Sequence, residues 1–152
     1  MTHVEHTRTL PRMDNIAIVV DDLTAATAFF AELGMELEGE ATLEGTLVDR
    51  LISLDGVRTD IAMMRAADGP GRIELTRYHA PPSPGGDQPS PVHALGAHRI
   101  MFAVHDIEEV IARLKPHGAE LMGEVVRYGD SYRLAYLRGP AGIAVALAEQ
   151  LG

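Results

Sequence analysis

Apolar and polar positions along the chain spell one pattern twice. From Asn15 to Val20 nearly every residue is apolar, with Ile16, Ile18 and Val20 alternating with Asn15, Ala17 and Val19. Such a run predicts a strand covered on both faces. Asp22 then stands where a helix cap is expected. Leu23, Ala26, Phe29, Phe30 and Leu33 recur at helical spacing, and Gly34 marks the helix end. The order returns later: an apolar run from Ile100 to Val104, Asp106 as cap, Ile107, Val110, Ile111 and Leu114 as the stripe, and Gly118 as the stop. Pro116 falls in the last turn and predicts a shorter second helix. Residues 16–40 and 100–124 align without a gap at an offset of 84, and nine of the 25 positions are identical. Roughly one or two identities would arise by chance at average composition. The chain therefore holds two copies of one module.

Three more strands are predicted after each helix. In the first copy they run from Met35 to Ala41, Asp60 to Ala66 and Arg72 to Tyr78, the last two joined by the Gly/Pro turn Ala66–Gly71. In the second they run from Glu120 to Arg127, Tyr132 to Arg138 and Ile143 to Glu149, with a hairpin at Gly139–Gly142. The prediction is an α+β fold of two tandem βαβββ modules, residues 12–80 and 97–152, forming a curved, cup-like mixed sheet with the helices outside. Residues 81–96, rich in Pro and Gly, read as a linker. Residues 1–11 read as a flexible N-terminal arm. The segments Leu43–Arg50 and Val126–Tyr132 read as paired rim loops.

A chain of 152 residues makes one structural domain, large enough to bury roughly 70% of its unfolded surface. It has no cysteine, hence no disulfide framework and no thiolate metal site, which fits a reducing cytoplasm. No apolar run approaches the roughly 20 residues of a membrane span, and the first residues lack the apolar stretch of a signal peptide. A net charge of −9 speaks against nucleic acid, which is bound by neutralising phosphates with Lys and Arg. An acidic surface aids solubility and tolerates a cationic small molecule.

The strand-helix openings, the segment Arg72–Tyr78 (RIELTRY) and the closing Gly139–Glu149 (GPAGIAVALAE) resemble the vicinal oxygen chelate superfamily, over about residues 12–150. That family includes glyoxalase I, extradiol dioxygenases, fosfomycin-resistance transferases and bleomycin-resistance proteins. The resemblance implies a cup that holds either a divalent metal or a metal-free ligand. In the enzymes the metal ligands, His or Glu, come from the first and last strands of each module. Those positions fall here on Asn15, Glu74, Arg99 and Ala146. One is a good hard-metal ligand; Asn offers a neutral oxygen, Ala nothing, and Arg a fixed positive charge. The expectation is no metal and no cofactor. His98 lies one residue off, on the face of Ile100 and Phe102, and would need a bulge to turn inward. Glu149 likewise lies opposite the Ala146 face. The remaining histidines, His3, His6, His79, His93, His105 and His117, read as surface residues.

The candidate ligand-binding residues are Asn15, Met63, Met64, Glu74, Tyr78, Arg99, Met101, Tyr128, Tyr132 and Tyr136. The methionines, Met63 or Met64 together with Met101, supply adaptable apolar surface, and the tyrosines stack and hydrogen-bond, unless some pack in the core. Ala17, Ala103, Ala144 and Ala146 leave room. Glu74 and Arg99 either pair, or leave Glu74 as a general base. The missing ligands and acidic charge resemble the antibiotic-binding, usually dimeric, members of the family. This implies metal-independent sequestration of a planar aromatic or enediyne-like antibiotic by a cytoplasmic homodimer, with small molecules rather than nucleic acid or membrane as partners. The absence of Trp departs from the bleomycin binders. The alternative is a lyase, isomerase or dioxygenase of the same family, with a non-standard metal site or with Glu74 as catalytic base. A third possibility is an interaction module with a vestigial cup.

Overall fold

The computed structural model describes residues 11–86 and 88–152. Nearly all of the expected arm, His3 and His6 included, lies outside the described residues.

The first half runs β1 (Ile16–Val19), α1 (Leu23–Leu33), β2 (Glu36–Glu44), α2 (Thr46–Ile52), β3 (Arg58–Arg65) and β4 (Arg72–Ala80). The second runs β5 (Arg99–Val104), α3 (Ile107–Leu114), a 3-10 turn (Lys115–His117), β6 (Glu120–Leu121), β7 (Val126–Tyr128), β8 (Tyr132–Arg138), a second 3-10 turn (Pro140–Gly142) and β9 (Ala144–Gln150). The first sheet has the order β1-β4-β3-β2 and the second β5-β9-β8-β6, with β7 also paired to β8. In each, the opening strand lies parallel to the last and the remaining pairs are antiparallel. The fold is α+β with two mixed sheets that do not close into a barrel. Among the described residues, no helix is long and apolar enough to cross a membrane.

The cap residues do what their chemistry predicts. Asp22 Oδ1 accepts from the Ala25 amide at 2.9 Å, and Asp106 Oδ1 from the Glu109 amide at 3.2 Å. Gly34, at φ 121°, ends α1 in a conformation that an L side chain rarely adopts. Helix α3 stops at Leu114, where Pro116 turns the chain into its 3-10 turn.

The two halves share one core. Helix α1 packs on α3, and Phe29, Phe30, Met64 and Leu75 of the first half lie in the same buried cluster as Ile107, Leu114, Leu137 and Leu147 of the second. Phe30 meets Phe29 edge-on at 5.2 Å between centroids and Phe102 of the other half at 6.3 Å.

Three details correct the sequence reading. Residues 120–127 are not one strand: β6 and β7 are separated by Met122–Val125, where the Met122 amide still reaches the Tyr136 carbonyl at 2.9 Å before the chain leaves the ladder. Leu43–Arg50 is not a loop: β2 continues to Glu44, and Thr46 begins α2. Val48 and Ile52 are partly buried while Leu47 and Leu51 stay exposed. Gly139–Gly142 is a 3-10 turn rather than a simple hairpin, with Ala141 at φ 55°. Within the expected linker, residues 81–96, one approach to the second half is close. Pro89 lies so close to Gly142 that a Cβ there would meet the Pro89 Cβ at 2.5 Å, so this crossing needs glycine.

Candidate functional site

The strand registers define one open face on each sheet, opposite the helices. On the first sheet Ala17 stands opposite Glu74, and Glu74 opposite Met63. Asn15, Thr76, Ile61 and Tyr78 share that face by strand alternation. On the second sheet Met101 stands opposite Ala146, and Ala146 opposite Tyr136. Arg99 and Arg138 flank Ala144 one step along, and Ala103 and Leu134 flank Ala148 one step the other way. Both faces are open: Val19 is 48% exposed and Met101 51%.

Asn15 and Glu74 do not meet Arg99. The Asn15 side-chain amide donates to Asp14 Oδ2 at 2.8 Å, a bond that with the Arg12 guanidinium holds the Asp14 carboxyl below its ordinary pKa. Glu74 Oε1 accepts from the Thr76 hydroxyl at 3.2 Å. The Arg99 guanidinium lies over the Tyr136 ring, 4.7 Å from its centroid. Of the two alternatives, a Glu74–Arg99 pair is not formed within the chain. The two residues sit on different sheets, and each has a nearer partner of its own. The first sheet's open face holds its own ion pairs instead, with Arg72 bonded to both Asp14 and Glu38. Arg72 lowers the Glu38 pKa, chiefly through its hydrogen bond.

The methionine ambiguity resolves by alternation. Met63 is on the open face beside Glu74, while Met64 is fully buried beneath α1 and cannot reach a ligand. Tyr78 is half-buried on the first sheet. The other three tyrosines share the second sheet's open face, where Tyr128 stands directly opposite Tyr132. Tyr128 is 70% exposed and Tyr132 43%. A cavity of about 460 Å³ opens beside them, lined by Val92, Met122, Val126, Tyr128, Leu134 and Tyr136 among others. Val126 and Leu134 were missed in the sequence, although both alternate with tyrosines at period two. Their pairing became visible once β7 was separate from β6. Val92, in the Pro-rich segment, gave no signal.

His98 stays off the Arg99 face, since β5 and β9 pair without a bulge. It lines a separate 250 Å³ cleft along the seam between β1 and β5. Glu149 is buried on the helix side and accepts from the Ile107 amide at 3.0 Å, where it secures the start of α3.

A family model, the Glyoxalase/Bleomycin resistance protein/Dioxygenase superfamily, matches residues 12–147. The chain belongs to this superfamily. No curated protein matches it. Among solved structures, a glyoxalase family protein from Bacillus cereus is 50% identical with a TM-score of 0.90, over 97% of this chain and 99% of that one. The fosfomycin resistance protein FosX from Listeria monocytogenes is similar in fold at 17% identity and TM-score 0.62, over 95% and 93% of the two chains. TnmS3, an antibiotic binding protein from Streptomyces sp. CB03234, is similar in fold at 17% identity and TM-score 0.57, over 93% and 97%.

The glyoxalase superfamily implies a divalent metal at the four aligned positions. The donors present do not fit one. The Asn15 amide nitrogen is tied to Asp14, Arg99 brings a cation, Ala146 has no donor, and Glu74 is the one carboxylate. Among the described residues no three His, Cys, Asp or Glu side chains group as metal ligands would. The same four types would furnish each cup of this glyoxalase-family chain, whether its halves pair within one chain or between two.

Proposed function

We propose that this chain is a metal-independent small-molecule binding protein that sequesters a planar aromatic or enediyne-like antibiotic. The observation that carries the reading is the second sheet's open face. At the position of a metal ligand in the superfamily's enzymes it has Ala146, opposite Tyr136, and Tyr136 in turn borders an apolar cavity of about 460 Å³ that Tyr128 also lines. That volume suits a drug-sized molecule, and stacking on rings that keep a hydroxyl gives both area and orientation. The antibiotic-binding neighbour TnmS3 supports the same use of the fold.

The protein acts as a cytoplasmic homodimer in this reading. Val19, Met101 and Tyr128 leave apolar surface open on both sheets of one chain, and a second copy that laid its first sheet across the second sheet would close the cup. Titration calorimetry of the purified protein in EDTA, against a panel of anthraquinone and enediyne antibiotics, is expected to give micromolar or tighter binding. Failure across the panel, or binding that requires one stoichiometric Fe, Mn, Ni or Zn, would overturn it.

One observation favours an enzyme instead. Glu74 has a hydroxyl rather than a cation as its partner, which leaves a carboxylate on the open face beside Met63, able to take a proton from a bound substrate. Turnover that Glu74→Gln abolishes while ligand affinity persists would establish that role.

A further inference from the structure

We infer that the second sheet's open face selects an aromatic ligand carrying an anionic oxygen group, a carboxylate or an ionised phenol, held by Arg99. This rests on the binding reading above and names its ligand class.

The face is amphipathic along the strands. Its first row is Arg99, Ala144 and Arg138; its second is Met101, Ala146 and Tyr136; its third is Ala103, Ala148 and Leu134. The central strand contributes alanine to all three rows, and across it the Arg99 side chain reaches from β5 to the Tyr136 ring on β8. Those strands lie two spacings, or roughly 10 Å, apart. The apolar cavity adjoins the second and third rows at Tyr136 and Leu134. Tyr136 thus borders the cavity and carries the Arg99 guanidinium over its ring, so an apolar body in the cavity would meet Arg99 at its Tyr136 edge.

Arg99 is positioned to receive an anionic group there. The guanidinium carbon lies 4.7 Å from the Tyr136 ring centroid, a contact that restrains the head group, and its N–H donors suit a planar, two-oxygen acceptor. Among the described residues Arg99 has no carboxylate within ion-pair distance, whereas Arg65, Arg72, Arg113 and Arg133 each have one. Arg138 is less available, because its Nη1 donates to the Gly142 carbonyl at 2.8 Å and Glu120 is its neighbour in the row. One carboxylate, Glu124, lies among the residues lining the cavity, beside Met122 and Gly123. The local sign at Arg99 is thus opposite to the chain's net charge of −9.

A matched pair of probes tests this: anthraquinone-2-carboxylate and anthraquinone-2-carboxamide, titrated into wild type, Arg99→Gln and the exposed control Arg127→Gln. Wild type and the control are expected to bind the carboxylate at least about tenfold tighter than the amide, as befits a charge-assisted bond. Arg99→Gln is expected to remove that preference while amide affinity stays within about twofold. Unchanged melting of the variant checks its fold. Equal wild-type affinity for the two probes overturns the inference and leaves the binding reading standing. If neither probe binds, the binding reading falls for this class of ring and the inference falls with it.

Discussion

At the scale of single residues, Asp60 is engaged on both oxygens. His79 Nε2 lies 2.6 Å from one, and the Thr42 hydroxyl donates to the other at 2.7 Å. The His79 bond first, and the Thr42 bond second, hold the Asp60 carboxyl below its ordinary pKa. A carboxylate depressed in the folded state stabilises fully above its unfolded pKa, near pH 4, and loses that contribution as pH falls through the folded value. Asp14 and Glu38 are lowered too and act with the same sign. Melting temperature should therefore fall as wild type is taken from about pH 5 to pH 3, and less steeply for Asp60→Asn, which has no proton to gain there. Parallel melting curves for the two proteins over that range would show that the Asp60 bonds contribute nothing. These residues also show the limit of reading the chain alone. The sequence alone makes His79 a surface residue, and it is exposed. Its bond to Asp60 depends on the register in which β3 pairs with β4, which the turn between them does not fix.

At the scale of elements, the most telling case is α3. It has eight residues, too few to persist alone in water, so its start must be fixed from outside. Asp106 supplies one acceptor from the cap position and Glu149, 42 residues on, supplies another to the Ile107 amide. Glu149→Ala leaves that buried amide unpaired and is expected to cost about 1–3 kcal/mol. Asp106→Ala, a lost cap, should cost about 1 kcal/mol. Glu149→Gln keeps a neutral acceptor and should fall below Glu149→Ala. Urea unfolding of the three variants checks the order, and a harmless Glu149→Ala would remove Glu149 as a fixing point. The Asp106 cap was legible because capping is local, whereas the Glu149 contact is made across the sheet. The same distinction explains the other elements. Strand-helix openings, helix stops and the Ala66–Gly71 turn follow from short-range chemistry and came out as expected. Helix α2 did not. Its seven residues lie between two strands and bury only part of Val48 and Ile52, so its apolar period is too short to separate from a strand's end. At the site, the resemblance and the repeat pointed to Asn15, Glu74, Arg99 and Ala146, and the strand registers put Glu74, Arg99 and Ala146 on the faces away from the helices. The repeat could not tell Met63 from Met64, since one residue of phase decides the face.

At the scale of the molecule, repetition in the sequence does not mean independence in the fold. Phe30 is fully buried and touches both its own helix neighbour and Phe102 of the other half. A Cβ added to Gly139, beyond β8, would meet the Phe29 ring at 3.3 Å. The cluster that contains these rings takes in residues of both sheets and of α1 and α3. Each half alone would expose the face it now buries against the other. At about 70 residues or fewer, it would cover only roughly 60% of its unfolded surface even if that face were satisfied. The intact chain should accordingly unfold in one transition, with near-ultraviolet signals from Tyr78 in the first half and the tyrosines of the second lost together with helical signal. Phe30→Ala should lower stability by about 3–5 kcal/mol and move that single transition as a whole. Residues 12–80 expressed alone should lack a cooperative transition. Two resolved transitions in the intact chain, or a folded 12–80 fragment, would mean that the shared core is not what holds the halves together. The open faces on either side of the seam would then be carried by two separately stable sheets.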